Sequence, residues 1–421
     1  MTSPRLLTPI PGPKSRDLAA RLRRSESPNV TYLANDFPVF WESASACWVT
    51  DVDGNVFLDL TAAFGVAGVG HSHPEVVAAI QHQATRLIHG MGDVHPSDVK
   101  VSLCERIAQR VPLPSAQVIL GLNGGDAIEA ALKTAALATK RRGVLAFEGG
   151  YHGLSYGALD ATFRDDFKAP FRAQLGAFTT HRPYGCSREQ IEAALASHEI
   201  GAVLVEPIQG RGGIVVPPDG WLAGLRELCT AHGALLIFDE IFTGWGRTGD
   251  WFACEHEEVI PDVLCIGKAM GGGLPISACV AGRDVMSAWP ISTGEALHTS
   301  TFLGNPLACA AALAATDVMA RENLPMRARE MGAYFTQQLQ ALQTSYPNRI
   351  AEVRGRGLML GLKFFSTADS LDLVTRALHS GLIVLPAGDG SVIEFVPPLV
   401  ITRDEIDCAV GILNHLLQSS R

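Results

Sequence analysis

The segment LLIFDEIFTGWGRTG, Leu235–Gly249, combines a short apolar run, two acids and three spaced glycines. Four apolar residues at 235–238 are typical of a buried strand, which would carry Asp239 to its end. The glycines at 244, 246 and 249 match the GxGxxG spacing of dinucleotide-binding loops, but such a loop opens directly into a helix. The following segment, DWFACEHEEVIPD, has no helical periodicity. The sequence therefore argues against a nicotinamide site and leaves Asp239 as the residue to explain.

Short apolar runs continue on both sides of this segment, from about residue 100 to 285, and alternate with helix-like segments. The runs are QVILGL, VLAFE, AVLVEPI, ALLIFDE, DVLCIG and SACVAG. Continuous apolar strands separated by helices favour an α/β fold with a mostly parallel sheet that is covered on both faces. From about residue 307 a helical stretch leads into AEVRGRGLMLGLKF and LIVLPAGDGSVIEFVPPLVI, which predict a smaller α+β domain. An Asp-Gly pair at 53–54 predicts a hairpin turn near the N-terminus.

The chain has 421 residues, a net charge of −9 and nine cysteines. This length fits two domains, and an acidic balance without a long Lys/Arg block argues against a nucleic-acid partner. The cysteines form no CxxC pair, which favours free thiols in a reducing compartment. The N-terminus lacks the apolar segment of a signal peptide, and no stretch approaches the roughly 20 apolar residues of a membrane span. We therefore expect a cytoplasmic protein with no membrane partner.

Three of the predicted strand ends carry chemistry, and each also has a plainer interpretation. Gly124 and Gly125 precede a long helix, where free N–H groups bind anions, although glycines also make ordinary strand-to-helix turns. Lys268 ends an apolar strand, and partial burial would lower the pKa of its amine and make it nucleophilic. An isolated lysine, however, more often lies at the surface. Asp239 is costly to bury without a cation, but a carboxylate can also cap the next turn.

Together these three features indicate pyridoxal 5′-phosphate (PLP) as a cofactor. PLP needs a phosphate cradle, an acid that faces its pyridinium nitrogen, and a lysine that forms a Schiff base. Each signal is weak alone. Their order along the chain, first the phosphate turn, then the acid, then Gly-Lys, makes a chance combination much less frequent.

From about residue 35 to 417 the sequence resembles the class III (ω-) aminotransferases, which have PLP fold type I. The motifs that carry the resemblance follow the family's order: TDVDGNVFLDL, GHSHPEVVAAI, DAIEAALK, FEGGYHG, VEPIQG, FDEIFTGWGRTG, PDVLCIGKAMGGGLPISA, STFLGNPLACAAA, VRGRGLMLGL and VPPLVIT. The resemblance implies a large domain with a mostly parallel seven-stranded sheet flanked by helices, plus a smaller α+β domain. It divides the chain into an N-terminal segment (1–59) that packs with the small domain, a PLP-binding domain (60–306) and the small domain (307–421).

The resemblance also implies a role for each residue that matches a family motif. Lys268 would hold PLP as a Schiff base and carry a proton during the reaction, and Asp239 would pair with the ring nitrogen. The other cofactor-binding residues would be Gly124 and Gly125 at the phosphate, Tyr151 on the ring face, His152 beside it, and Glu206 in VEPIQG. Thr301 in STFLGNP would reach the same phosphate across a dimer interface. The resemblance thus implies a homodimer with active sites at the interface, and it leaves open whether dimers pair into tetramers.

Three positions depart from the family pattern. Many members have, at the position of Phe242, a glutamine that contacts the PLP phenolic oxygen, so this contact is absent here or comes from another side chain such as Gln209. Members that bind an α-carboxylate often have an arginine three residues before PPL and a glutamate after EPIQG. Here those positions hold Glu394 and Arg211, with both signs reversed. The reversal predicts an attractive pair that binds substrate; the alternative is two surface charges that never meet.

The function implied by the resemblance is transfer of an amino group from an amine or amino acid to a keto acid or aldehyde in two half-reactions. An amino-acid or amino-lactam racemase on the same fold is an alternative, because the sequence does not place the transferred proton. A non-catalytic PLP-binding protein is a second alternative, which the intact set of Lys268, Asp239 and Tyr151 disfavours. No metal site is expected, because His71 and His73 in GHSHP have no third ligand nearby.

Overall fold

The computed structural model describes residues 3–419 and places them in an α/β fold with three sheets. The α/β class predicted from the sequence is confirmed. One sheet has seven strands and the other two have four strands each. The predicted N-terminal segment and small domain also include residues 1, 2, 420 and 421, which lie outside the described residues.

The strands are β1 (Trp41–Ser45), β2 (Trp48–Asp51), β3 (Val56–Asp59), β4 (Ala116–Gly121), β5 (Gly143–Phe147), β6 (Thr179–Arg182), β7 (Ile200–Val205), β8 (Leu235–Asp239), β9 (Val263–Ile266), β10 (Ser277–Gly282), β11 (Ile350–Arg356), β12 (Met359–Phe364), β13 (Leu382–Ile383), β14 (Leu385–Ala387) and β15 (Val392–Phe395). The helices are α1 (Pro13–Ser25), α2 (Ala62–Gly65), α3 (Pro74–Arg86), α4 (Asp98–Arg110), α5 (Gly124–Thr139), α6 (Tyr156–Ala161), α7 (Asp165–Lys168), α8 (Arg188–Leu195), α9 (Trp221–His232), α10 (Arg283–Met286), α11 (Pro306–Arg321), α12 (Leu324–Ser345), α13 (Thr367–Leu378) and α14 (Arg403–Gln418). Short 3₁₀ helices cover Ala169–Gln174, Ala253–Glu257 and Lys268–Gly271. Among residues 3–419, no helix has both the length and the apolar character needed to cross a membrane.

The seven-stranded sheet has the strand order β4-β10-β9-β8-β7-β5-β6. Neighbouring strands from β9 to β6 pair in parallel, whereas β10 pairs antiparallel with both β9 and β4. The reversal of β10 alone keeps the sheet mostly parallel, as predicted. The carboxyl ends of β4, β5, β7, β8 and β9 therefore open at the same edge of the sheet.

The apolar run in β8 shows why this sheet needs cover on both faces. Successive side chains of a strand point to opposite faces. Leu236 and Phe238 join the larger apolar cluster, which includes side chains of α9, while Ile237 joins a second cluster with the alanines of α5. All three side chains are completely buried. Burial on both faces explains the continuous apolar run of the strand.

The two smaller sheets have the orders β1-β2-β3-β13 and β11-β12-β15-β14. The predicted hairpin is confirmed, because β2 and β3 pair antiparallel around Gly54, whose φ of +83° suits glycine. Strand β3 pairs in parallel with β13, which joins the N-terminal segment to the C-terminal part of the chain. Helix α11, at the start of the predicted small domain, packs against α3 and α4. The bounds at 59/60 and 306/307 stay a prediction.

Candidate active site

A cavity of about 720 Å³ lies at the sheet edge where the parallel strands end. Open α/β sheets commonly bind their ligands at this edge. Eight residues predicted from the sequence lie in the cavity together: Gly124, Gly125, Tyr151, His152, Glu206, Arg211, Asp239 and Lys268. Glu394 and Thr301 are not among its lining residues.

The glycines at the start of α5 open one end of the cavity. Asn123 caps this helix, and its side chain accepts a hydrogen bond from the N–H of Asp126. A Cβ atom on Gly124 would lie 3.0 Å from Ile241, and one on Gly125 would lie 3.0 Å from the Oδ1 atom of Asn123 and the Oγ atom of Ser155. Side chains at these two positions would fill the space in front of the helix. The first N–H groups of a helix have no partner within the helix, so this end can bind an anion such as a phosphate.

Asp239 and His152 form a buried pair on one wall. Nδ1 of His152 donates to Oδ2 of Asp239 over 2.8 Å, and the N–H of Ile241 donates to Oδ1 over 3.1 Å. The two side chains belong to residues that are only 3% and 4% exposed. Burial opposes a charge on His152, but the hydrogen bond and the negative charge of Asp239 outweigh it and raise the pKa of the imidazole. A carboxylate held in this way suits a cation in the cavity.

Lys268 follows β9 and begins a 3₁₀ turn, with a φ of +44° that is rare for a residue with a side chain. Its Nζ atom lies 3.3 Å from the centre of the Phe242 ring. Burial lowers the pKa of its amine to about 8, although the negative charges of Glu394, Asp239 and Glu206 oppose that shift. The amine of Lys268 can therefore act as a nucleophile and can carry a proton near neutral pH.

Phe242 occupies a slot between two glycines. A Cβ atom on Gly65 would lie 2.6 Å from its ring, and one on Gly210 would lie 2.3 Å from it. The amide of Gln209, which the sequence offered as a substitute contact for PLP, instead donates to the carbonyl oxygen of Glu148 over 2.7 Å. An aromatic face thus stands beside Lys268 where the resemblance has a glutamine.

Glu206 holds two loops of the cavity together. Its carboxylate accepts hydrogen bonds from the N–H of Tyr151 over 3.0 Å and from the N–H of Gly210 over 3.1 Å. Burial raises the pKa of this carboxyl to about 7, against the lowering effect of His152. The guanidinium of Arg211 lies 5.1 Å from the centre of the Tyr151 ring. Glu206 therefore fixes the position of Tyr151 through the backbone.

The reversed charges at 211 and 394 do not form a direct ion pair. Among residues 3–419, no nitrogen of Arg211 lies within 4.0 Å of a carboxylate oxygen. Lys268 and then Arg211 are the positive charges that lower the pKa of Glu394, which burial raises to about 7. The predicted attraction between Arg211 and Glu394 is thus present at longer range, and Lys268 also attracts Glu394. Thr301 lies in an exposed segment and does not reach the cavity of its own chain.

Several lining residues were not predicted from the sequence, and two of them lie at the proposed phosphate end of the cavity. Ser155 lies beside the glycines of α5, and Ile241 packs over Gly124. Ser155 is three residues from His152, and that proximity was its one sequence signal. Neither side chain has a chemical pattern that a single sequence would reveal.

The glycine loop after Asp239 does not have the structure of the dinucleotide-binding loop that its spacing suggests. Residues 241–252 form turns and bends with no helix, and Gly246 and Gly249 have φ angles of +85° and +105°. This loop therefore differs from a dinucleotide-binding turn, as the sequence predicted.

Away from the cavity, donor atoms of His73, Glu75 and Glu322 lie within 4.8 Å of one another, but both Glu75 oxygens already accept hydrogen bonds from Arg321.

Comparison with known proteins identifies the family that the sequence resembles. A family model described as aminotransferase class-III matches residues 31–417. The acetylornithine aminotransferase of Methanopyrus kandleri is 39% identical over 384 residues, which are 91% of this chain and 95% of that protein. An ornithine aminotransferase structure from Toxoplasma gondii ME49 has a TM-score of 0.89 at 33% identity, and the match covers 97% of this chain and 96% of that one.

A second structure of the Toxoplasma gondii enzyme was described with partial occupancy of PLP at its active site. It has a TM-score of 0.88 at 34% identity and covers 96% of this chain and 94% of its own. These likenesses confirm fold type I and PLP as the cofactor, and they favour transamination over racemisation. The chain belongs to the class III aminotransferases, PLP-dependent enzymes that transfer an amino group from an amine or amino acid to a keto acid or aldehyde.

Proposed function

We propose that Lys268 and Asp239 are the catalytic residues of this aminotransferase. The supporting observation is that one cavity combines an amine with a lowered pKa, a buried carboxylate and a glycine-opened helix N-terminus. Bound PLP supplies an aldehyde that links to amines and a ring that withdraws electrons. Lys268 would hold the cofactor through a Schiff-base link. An amine with a pKa of about 8 can also give and accept a proton near neutral pH.

The remaining residues would position the cofactor. Asp239, oriented by His152, would face the ring nitrogen and favour its protonated form. Tyr151, whose backbone is held by Glu206, would lie against the ring face. Gly124 and Gly125 would bind the phosphate through their N–H groups at the start of α5. The close approach that both glycines allow at this point supports that assignment.

We also propose Arg211 and Glu394 as substrate-binding residues. Arg211 is an exposed cation that lines the cavity, and Glu394 exerts the largest electrostatic effect of any acid on Lys268. Their charges are opposite, and Arg211 is open to solvent whereas Glu394 is buried. A substrate with charged or polar ends would meet both.

We propose a homodimer in which Thr301 of each chain reaches the phosphate site of the other. The segment around Thr301 and the loop at 87–95 are tied together, because Thr299 donates to Asp93 and Asn305 donates to the carbonyl oxygen of Ile88. Exposed apolar side chains crowd this region: Leu87, Ile88, Met91, Val94, Leu297 and Phe302. Such a patch on a soluble enzyme favours burial against a second copy.

A cytoplasmic location is part of the same proposal. All nine cysteines are free, and seven of them are buried. An unpaired set of this size is typical of proteins that work in a reducing compartment. Secretion into an oxidising medium with correct folding and full activity would argue against it.

The decisive experiment examines the purified protein for covalently bound cofactor and for product. Reduction with borohydride followed by peptide mapping is expected to find a pyridoxyl group on Lys268. Incubation with amines and a keto acid is expected to yield the corresponding carbonyl product. Protein that remains colourless after PLP supplementation and carries no label at Lys268 would contradict the proposed site. Inversion at the amine carbon with no carbonyl product would instead identify a racemase.

A further inference from the structure

Glu206 fixes the backbone of Tyr151, but the orientation of the Tyr151 ring depends on other side chains. The hydrogen bond from the Tyr151 N–H to Glu206 leaves both side-chain torsions of the tyrosine free. Such torsions change between rotamers unless packing restricts them. A ring that must lie flat against a cofactor loses this freedom on binding, unless the folded protein has already fixed the ring. The contacts that orient the Tyr151 ring therefore bear on cofactor affinity.

Phe167, on α7, contacts the Tyr151 ring. The two ring centres are 5.9 Å apart and the ring planes are at 66°, which is the edge-on arrangement that aromatic pairs favour. Both side chains are half-buried. Phe167 is not among the residues that line the cavity, whereas Tyr151 is. Phe167 can therefore act on the cavity through Tyr151.

The segment that leads into α7 is bonded to the residues on both sides of Tyr151. The N–H of Phe163 donates to the carbonyl oxygen of Gly150 over 2.9 Å. The N–H of His152 donates to Oγ1 of Thr162, also over 2.9 Å. These two bonds set the position of the segment relative to the backbone of Tyr151. The contact between the two rings is thus made from a fixed base.

Arg164 in turn holds Phe167. Its guanidinium carbon lies 4.8 Å from the centre of the Phe167 ring, within the range of a cation–π interaction. Asp166 accepts hydrogen bonds from Nε of Arg164 over 3.2 Å and from Nη2 over 2.6 Å. Two parallel bonds to one carboxylate orient the plane of a guanidinium. The cation is therefore held in place over the ring.

We infer that Phe167 is a positioning residue for the cofactor: it holds the Tyr151 ring in the orientation in which that ring lies against PLP, and Arg164 holds Phe167. The inference rests on the proposed role of Tyr151 and adds two residues that do not line the cavity. Both lie outside the motifs that carry the family resemblance.

Cofactor titration of the apoenzyme tests this role. Phe167→Leu keeps the contact apolar but removes the ring. We expect the dissociation constants for PLP and for pyridoxal to rise by the same factor, about threefold to tenfold, because the contact acts on the cofactor ring and not on its phosphate. Phe167→Tyr retains a ring and should keep the wild-type constants. Unchanged constants in Phe167→Leu would overturn the inference.

A control comes from the same surface segment. Phe171 is 46% exposed, and its ring lies 6.4 Å from the ring of Tyr156. Phe171→Leu therefore removes an aromatic contact that does not involve Tyr151, and it should leave both dissociation constants unchanged. A rise in Phe171→Leu equal to that in Phe167→Leu would overturn the inference, because any loss of aromatic packing in the segment would then have the same effect.

Circular dichroism in the visible range separates positioning from a general loss of stability. The bound cofactor acquires this signal from its asymmetric surroundings, so the amplitude per bound cofactor should change in Phe167→Leu. Arg164→Met should show a smaller change of the same sign, and it carries the test if Phe167→Leu does not fold. Arg172→Met, which breaks an exposed ion pair with Asp165 in the same segment, should show none. A wild-type signal in the Phe167 and Arg164 variants would overturn the inference.

A double-mutant cycle with Tyr151→Leu distinguishes the inference from the function on which it rests. Tyr151→Leu should weaken PLP binding, and Phe167→Leu should add nothing in that background, because its effect passes through the Tyr151 ring. Wild-type affinity in Tyr151→Leu would refute the proposed role of Tyr151, and the inference with it. Weakened binding in Tyr151→Leu with a full additional effect of Phe167→Leu would overturn the inference alone.

Discussion

The Nζ atom of Lys268 lies 3.3 Å from the centre of the Phe242 ring, within the range of a cation–π interaction. The ring is held at this point because Gly65 and Gly210 leave a slot that any side chain there would close. Phe242 occupies a position where the resemblance has a hydrogen-bonding glutamine. The contact therefore gives this chain its own means of placing the lysine.

Replacement of Phe242 by leucine should lower the pKa of Lys268. Leucine keeps the surroundings apolar but removes the ring face that stabilises the ammonium. The lost interaction is about 1 kcal/mol, which lowers the pKa of Lys268 by somewhat less than one unit. The pKa can be measured in the apoenzyme from the pH dependence of trinitrophenylation, with peptide mapping to identify Lys268. Phe242→Tyr retains a ring and should keep the wild-type value. A leucine variant with an unchanged pKa would show that the contact has no energetic weight.

Cofactor uptake by the apoenzyme should accelerate as the pH rises through about 8. The neutral amine of Lys268 is the form that would react with the PLP aldehyde, and burial lowers the pKa of this amine from 10.5 to about 8. Below that pH the amine is mostly protonated and slow, and above it the rate should reach a plateau. Stopped-flow absorbance after mixing with PLP gives the midpoint directly. A midpoint near the ordinary lysine value would mean that burial does not act on this amine.

Alanine at Gly125 should weaken phosphate binding specifically. Its Cβ atom would lie 3.0 Å from the Oδ1 atom of Asn123 and the Oγ atom of Ser155, at the helix N-terminus where we propose that the phosphate binds. Loss of one charged hydrogen bond predicts a dissociation constant for PLP that is about tenfold to a hundredfold higher. Affinity for pyridoxal, which lacks the phosphate, should change little. Gly224→Ala in α9, where a Cβ meets nothing within 4 Å, is the matched control.

Mixing two inactive variants should restore activity if Thr301 acts across the dimer. Lys268→Ala removes the proposed catalytic amine, and Thr301→Asp would place a negative charge at the proposed phosphate site of the partner chain. In a heterodimer one site then carries both changes and the other site carries neither, so random exchange of subunits should recover about a quarter of wild-type activity. Each variant alone, taken through the same exchange, is the control. No recovery despite confirmed heterodimers would place Thr301 in its own chain's site or outside the sites.

The strand and helix pattern of the central sheet, and with it most of the cavity lining, could be predicted from local patterns. An apolar run followed by an acid identifies β8 and Asp239, and a glycine pair before a long apolar helix identifies the start of α5. These signals are readable because strand burial and helix initiation depend on residues that are neighbours in the chain. Parallel strands then bring their carboxyl ends to one edge, which collects the predicted residues without further information.

Other relationships depended on the packing of distant segments. His152 contacts Asp239 although 87 positions separate them in the sequence, and Phe242 fits between Gly65 and Gly210, which belong to separate segments of the chain. Arg211 and Glu394 attract each other at longer range, but among residues 3–419 they form no ion pair within 4.0 Å, although their reversed signs suggested a direct pair. Residue types reveal which interactions are chemically possible, whereas distances of a few ångströms are set by strand register and by which side chains leave space. That is why local sequence identifies the chemistry of this site and only the folded chain shows how its groups are arranged.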